Sequence, residues 1–431
     1  MREPLEAGAI KVLQGLQQHG YEAYLVGGCV RDRMLGRTVK DYDIATSARP
    51  EQVQKTFERT IPTGLQHGTV TVVVDGFTYE VTTFRKEEGY EQYRRPAEVH
   101  YIDTLLEDLR RRDFTMNAMA LDAEGKLVDP FGGMEDLRQG TLRCVGEPHE
   151  RFEEDALRML RCIRFAAEYG LQVESRTWES LCRHAPLLKH IAMERVRMEL
   201  ERMLGGSAPH TALQYLAGSG LLRYTKAPLI LQALHADRDW EAIAQLSSVT
   251  GRWAYLYLHF SRSAPEVEEE LKRLTFSNQQ IREIAAVAAA AYEVLASKRS
   301  VLSAESSASA QDDAKRIWKL AALKFGPKAL RELHDIISSD RRLDLFAQAD
   351  PADVERWAAR GTDWLDELKV TKLSELNLSG NQLLSGLSRK GGPWMSVLLQ
   401  YLLEEVALGR MENRTDTLLE EAGRWVSREL T

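Results

Sequence analysis

Two aspartates separated by a single residue, Asp41 and Asp43, are the strongest chemical signal in the chain. In Asp41-Tyr42-Asp43-Ile44 the alternation of a strand turns both carboxylates to one face, and Tyr42 and Ile44 to the other. Paired carboxylates suit Mg²⁺, which takes one or two of them and completes its octahedron with water and substrate phosphates. Upstream, Tyr24-Leu25-Val26 reads as a short strand, and Gly27-Gly28 lets the backbone turn tightly and approach a bulky ligand. The stretch from Cys29 to Leu35 has helical character, so its first amides and Arg31 would face the same anion that Gly28 admits. A D-x-D alone is usually a solvated strand end and a Gly-Gly alone usually a turn. Together they form two halves of a nucleotide site.

Strand, Gly-Gly, helix and D-x-D resemble the catalytic signature of the polymerase β nucleotidyltransferase superfamily. The fuller string GGxVRDxxLG…DxDIxT is similar to its class II tRNA nucleotidyltransferase and bacterial poly(A) polymerase branch. The resemblance implies template-independent nucleotidyl transfer from CTP and ATP to the 3′ end of tRNA, with Asp41 and Asp43 holding two Mg²⁺ ions. It also supplies roles further along. Glu80, on the second strand of a predicted hairpin (67–74, an Asp75-Gly76 turn, 77–84), fits the family's third acidic residue, a base or metal ligand, and fits equally an edge-strand surface glutamate. Residues 85–99, charged and tyrosine-bearing with a Gly and a Pro, read as a mobile loop; enzymes that add only cytidines tend to lack a similar loop. Arg110-Arg111-Arg112-Asp113-Phe114-Thr115-Met116-Asn117-Ala118 matches the RRDFTxNA motif tied to the ribose and triphosphate. An arginine fork suits phosphate, and Asp113 and Asn117, four apart on a helix, can bond sugar hydroxyls from one face.

A recognition helix is predicted from about Glu150, with Phe152, Ala156, Leu157, Leu160, Ile163 and Phe165 as its buried stripe. Glu154-Asp155-x-x-Arg158 matches the EDxxR motif, in which side chains act as the template that selects the base. Cytosine and adenine each present a ring acceptor beside an amino donor, which Arg158 and Asp155 can meet side by side. Uracil and guanine reverse that polarity and would leave buried groups unpaired, at about 1–3 kcal/mol each. The bland alternative is an intrahelical salt bridge on a solvated face. Arg161 can flank the base or triphosphate. Arg164 rotates roughly opposite Asp155, so only the family's nucleotide-binding set brings it in. Asp129-Pro130-Phe131-Gly132-Gly133 is a turn assigned to architecture, and Glu194-Arg195-Val196 through Glu199-Leu200 resembles a motif that braces the recognition helix.

The elements that must position these residues make an α+β chain of 431 residues. A catalytic head with a small mixed sheet covers 1–148, a helical neck for base recognition 149–206, a helical body 207–313 ending in a Ser/Ala-rich linker at 298–313, and a helical tail 314–431. Residues 3–19 carry apolar positions at helical spacing and cover the first strand. The resemblance assigns the tail to the tRNA elbow and, through bacillus-type members, implies a homodimer. The net charge of −7 argues against a nucleic-acid binder unless a local basic surface offsets it. Cys29, Cys144, Cys162 and Cys182 show no C-x-x-C spacing, so neither zinc nor a disulfide framework is indicated, and they fit a reducing cytosol. No signal-peptide core is evident and the run Ile284 to Tyr292 is too short to span a membrane, which predicts a cytoplasmic protein. Rival readings are an A-adding partner of a split CC/A system, a poly(A) polymerase, and a catalytically silent RNA-binding module.

Overall fold

Glycine ends the first strand and sets the plan of the head. In the computed structural model, which describes residues 4–65, 68–91, 95–301 and 310–429, α1 (Pro4–Gln18) turns Ala9, Ile10, Val12, Leu13 and Leu16 inward, and β1 (Ala23–Val26) runs straight into Gly27. α2 (Gly28–Met34), β2 (Asp43–Thr46), α3 (Pro50–Thr56), β3 (Thr60–Ile61), β4 (Thr69–Val74) and β5 (Phe77–Thr83) follow. Asp75 and Gly76 join β4 to β5 at φ 53° and 83°, the positive dihedrals for which an Asp-Gly turn is selected. His67, where the expected strand began, lies outside the described residues. α1 is held to the sheet through Tyr79, which is fully buried and donates to the Leu5 carbonyl at 2.9 Å.

The segment expected as a loop is a β-hairpin. β6 (Arg85–Glu91) pairs antiparallel with β7 (Arg95–Tyr101) as a separate two-stranded sheet, and residues 92–94 lie outside the described residues. Charge and tyrosine content hid the pairing, because the sequence here shows no alternation of apolar with polar residues from which strands could be read. After α4 (Leu105–Arg110) come β8 (Ala120–Leu121), β9 (Leu127–Val128) and α5 (Gly133–Arg138). Asp129 accepts from the Gly133 and Met134 amides at 2.8 and 2.9 Å, so the DPFGG turn starts α5 as its chemistry suggests. The main sheet has seven strands in the order β3-β4-β5-β2-β1-β8-β9, mixed because β2 and β5 run parallel. Val26, Ala45, Phe84, Leu109, Ala118 and Val145 form a core beneath it.

The expected recognition helix is two helices. α6 (Pro148–Glu154) stops at Asp155, whose φ of −142° and ψ of 106° are extended, and α7 (Leu157–Tyr169) restarts with the Leu157 amide donating to Asp155 Oδ1 at 3.0 Å. The buried stripe of Phe152, Ala156, Leu160 and Ile163 continues across the break, which hid it from periodicity. α8 (Ser175–His184) and α9 (Met193–Gly205) then pack on α6 and α7 respectively. Asp113 and Asn117 likewise do not share one α-helix: α4 ends at Arg110, and a short 3₁₀ helix covers Thr115–Asn117 only.

Contact density divides the chain into Met1–Arg238 and Asp239–Thr431. The second unit is helical. Asn278–Val301 reaches into the stretch expected as a linker and Ala310–Phe325 resumes after it, with 302–309 outside the described residues. Trp318, Trp357 and Trp364 are buried there, and Trp318 Nε1 donates to the Gly361 carbonyl at 3.0 Å, a partner that a buried indole needs. Further on, Ser379 caps Gly380–Leu387 in a capping box with Gln382. All four cysteines are free, and among the described residues no helix is long and apolar enough to cross a membrane.

Candidate active site

The register of β1 on β2 joins the two half-sites. Val26 lies opposite Asp43 in that antiparallel pair, so the Gly27-Gly28 bend and the aspartates leave the sheet at one end. β5 adds Glu80 directly opposite Asp43 in parallel register. Tyr42 and Ile44 are buried while Asp41, Asp43 and Glu80 are exposed, the alternation the residues predict, although Asp41 stands just ahead of the strand. Gly27 has φ 73° and ψ −130°. A Cβ added there would sit 3.0 Å from Arg112 Nη1 and 4.0 Å from Asp43 Oδ2, so acid, bend and arginine surround one point.

Asp43 is exposed as a residue. Protein crowding around its carboxyl, with the charges of Asp41 and Glu80, nevertheless pushes it up to about 6, against the pull of Arg112. A divalent cation would relieve that crowding. Among the described residues no three His, Cys, Asp or Glu form a ready-made metal cage; the donor set is a carboxylate pair of the kind that takes its other ligands from water and substrate. Cys29 behind it is no ligand, since burial pushes its thiol up to about 12 and its Sγ donates to the Val26 carbonyl at 3.2 Å.

Beside the bend opens a cavity of about 350 Å³ lined by Gly27, Arg31, Arg111, Arg112, Asp113, Asn117, Asp155, Leu157, Arg158, Arg161, Phe165 and Arg195. Six arginines face two aspartates there, which supplies the local positive surface that the net charge of the chain conceals. Most of these groups are already bonded. Arg31 gives Nη1 to Asn117 Oδ1 at 2.7 Å and Nε to Asp32 at 2.9 Å. Asn117 Nδ2 donates to Asp113 Oδ1 at 3.0 Å, and Arg161 reaches Asp113 Oδ2 at 2.6 and 2.8 Å. Burial alone would raise the Asp113 carboxyl, but Arg161, Asn117 and Arg158 outweigh it and hold the group down at about 2. Asp113 thus braces the cavity wall as an anion.

Asp155 and Arg158 both line the cavity; the Arg158 amide donates to the Asp155 carbonyl at 2.9 Å, while their side chains turn to other partners. Asp155 Oδ2 accepts from Arg195 Nη2 of α9 at 2.8 Å. Arg158 bonds Glu154 at 2.5 Å and the carbonyls of Arg111 and Arg151 at 2.9 and 3.2 Å. With the break at Asp155, the expected Asp155–Arg158 side-chain pair gives way to two others, Asp155 with Arg195 and Arg158 with Glu154 four residues before it. Arg164 points away, to Glu199 at 2.6 Å and Glu168 at 3.3 Å, as its rotation predicts, and ties α7 to α9. Gly28 is the first residue of α2 and lies off the cavity lining. Sequence reasoning passed over Gly27, Arg111 and Arg195 as site residues; the signal for Arg195 was its place in the bracing motif, and for Gly27 its position just before the helix.

Gly27→Ala is expected to lower nucleotide affinity at least tenfold. Its backbone region costs a side chain about 1–3 kcal/mol, and the added carbon displaces Arg112. Gly20→Ala, at φ 85° with nothing within 4 Å, is the control: it carries strain without contact and should leave affinity unchanged in a nucleotide titration.

Three family profiles match the chain: "Poly A polymerase head domain" over residues 23–143, "Probable RNA and SrmB- binding site of polymerase A" over 170–231, and "tRNA nucleotidyltransferase domain 2 putative" over 244–422. A CCA-adding enzyme of Geobacillus sp. (strain WCH70) is 39% identical over 428 residues, covering 97% of each chain. One from Bacillus cytotoxicus is 37% identical, covering 97% of this chain and 98% of its own. Among solved structures, the Bacillus stearothermophilus CCA-adding enzyme in complex with CTP superposes with a TM-score of 0.79 at 33% identity, each chain covered in full.

Proposed function

We propose, from the premise that this chain belongs to the CCA-adding enzymes of the tRNA nucleotidyltransferase/poly(A) polymerase family, that it builds and repairs the 3′-terminal CCA of tRNA from CTP and ATP, releasing pyrophosphate. The observation that carries this reading is the adjacency at Gly27, where an acid group adjoins an arginine-lined cavity that also contains Asp155 and Arg158. The reaction is metal-dependent, and we assign Mg²⁺ to Asp41 and Asp43, with Glu80 beside them. Bound there, the metal would lower the pKa of the terminal ribose 3′-hydroxyl and stabilise the departing pyrophosphate.

The protein's own groups do the rest. Arg112, with a buried Nε that has no partner, and Arg31 offer donors to the triphosphate at the bend. Asn117 and Asp113 hold Arg31 and Arg161 in place, and Asn117 keeps capacity for a sugar hydroxyl. Arg158 donates to the ring nitrogen of C or A, and Asp155 accepts from the amino group. Arg164 acts from behind, through Glu199. The tail binds the tRNA elbow, and the enzyme works in the cytoplasm where that substrate is.

The deciding experiment supplies tRNA ending before CCA with CTP alone, ATP alone, or both. Two cytidines with CTP and a single terminal adenosine when both are present support the proposal. Addition of adenosine alone, or of a long adenosine tract, would replace it with the A-adding or poly(A) reading. Absence of pyrophosphate release with any nucleotide would leave only RNA binding.

A further inference from the structure

Asp108 is an acid that neither the metal pair nor the base reading uses, yet its side chain is only 1% exposed and is paired with Arg111 and Arg112, both of which line the cavity. A carboxylate so deep persists only if it is paired. It is: Arg111 gives Nε and Nη2 to Oδ1 at 3.0 and 2.8 Å, and the Arg85 amide at the root of β6 reaches the same oxygen at 3.4 Å. Burial would raise the carboxyl, but the charges of Arg111 and Arg112 and these bonds lower it below the ordinary aspartate value.

The two oxygens do different things. Oδ1 is consumed by Arg111, which neutralises the charge. Oδ2 is left for Arg112 Nη2 at 3.3 Å. The other bond of Arg112 is also long, Nη1 to the Asn117 carbonyl at 3.4 Å, and its buried Nε has no partner. Arg112 is therefore aimed without being saturated: its bonds lie beyond the usual 2.7–3.2 Å range, so it keeps donor capacity for an incoming oxyanion. Arg31 and Arg161, by contrast, are each bonded at 2.9 Å or less.

We propose that Asp108 is a positioning residue that aims Arg112 at the nucleotide's phosphates, with Arg111 as the counter-charge that lets it remain buried. This rests on the reading that Arg112 meets the triphosphate. It acts on phosphate binding and leaves base contacts alone.

The test compares affinities of the full-length protein for CTP and CMP, measured by equilibrium titration and competition, with melting temperature as the check on folding. Asp108→Asn keeps the shape and removes the charge. Its CMP-to-CTP dissociation-constant ratio is expected to fall at least fivefold, CTP weakening far more than CMP. If Asp108→Asn does not melt cooperatively, Asp108→Glu, which keeps the charge but shifts it by one methylene, is read instead, with at least a threefold fall expected. CTP and CMP weakening by one common factor, or neither weakening, overturns the proposal. Arg112→Gln separates the two layers: if it leaves the ratio unchanged, the assignment of Arg112 to phosphate is wrong; if it lowers the ratio while the Asp108 variant does not, the assignment stands and the positioning role falls.

Discussion

Asp43→Asn lowers nucleotide incorporation by about 10³-fold and, above pH 6, leaves the protein at least as heat-resistant as the wild type. The first half follows from charge. A metal stabilising the developing charge in phosphoryl transfer contributes several kcal/mol, and about 4 kcal/mol is about 10³-fold in rate. Asn supplies a neutral oxygen where the site needs an anion. The second half follows from linkage. The folded carboxyl lies at about 6, above the ordinary 3.8, so the folded protein holds this proton more tightly than the unfolded chain does. Ionised Asp43 therefore opposes folding at pH above 6, and the opposition fades as pH falls from about 6 towards 4. Because the side chain is exposed, solvent screening keeps the effect modest, and only its direction is predicted. Incorporation assays read the first half, and melting curves of both proteins at pH 5 and pH 8, with and without MgCl₂, read the second: Mg²⁺ should raise the wild-type midpoint by mass action and leave Asp43→Asn unmoved. Incorporation within tenfold of wild type, or a lower midpoint than wild type at pH 8 without metal, would refute the assignment of Asp43 as a crowded metal ligand.

What the sequence made legible is what short-range geometry dictates. The exposed Asp43 between buried Tyr42 and Ile44 follows from strand alternation, and the Asp75-Gly76 turn from the dihedrals that glycine and aspartate tolerate. The glycine bend was visible as a pair, but which glycine bears the positive φ depends on where α2 begins. The break at Asp155 was invisible to periodicity because extended backbone at one residue leaves the apolar stripe in phase. Its trace in the sequence was chemical: Asp155 accepts from the Leu157 amide and so starts the next helix. The bracing of Asp155 by Arg195 joins residues 40 apart, and that of Arg31 by Asn117 residues 86 apart; no local pattern contains either. The hairpin at 85–101 escapes a sequence reading for the opposite reason, since its composition resembles solvated loop. Overall charge misled in the same way, because a cavity concentrates six arginines that composition averages away.

Arg158→Ala is expected to erase most of the preference for CTP over UTP, lowering the ratio of their kcat/KM values by about 10- to 100-fold, since each mispaired buried group is worth about 1–3 kcal/mol. The guanidinium is buried and fixed by Glu154 and by two backbone carbonyls, on Arg111 and Arg151, so it cannot turn away when a wrong base arrives. A donor held in this way accepts cytosine N3 and adenine N1, which are acceptors, and rejects the N3–H of uracil, which would face donor to donor. Removing it relieves uracil of that conflict while taking a bond from cytosine, so CTP should lose and UTP should hold or gain. Some stability must go as well, because Glu154 keeps only Arg151 and two carbonyls lose a partner; the midpoint of melting is therefore measured alongside. Stability loss alone would lower turnover of both nucleotides by one factor. Single-turnover rates with CTP and UTP on tRNA lacking its CCA distinguish the cases, and parallel loss on both would mean that Arg158 only fastens the α6–α7 junction, leaving Asp155 and the Arg195 that orients it as the groups that choose the base.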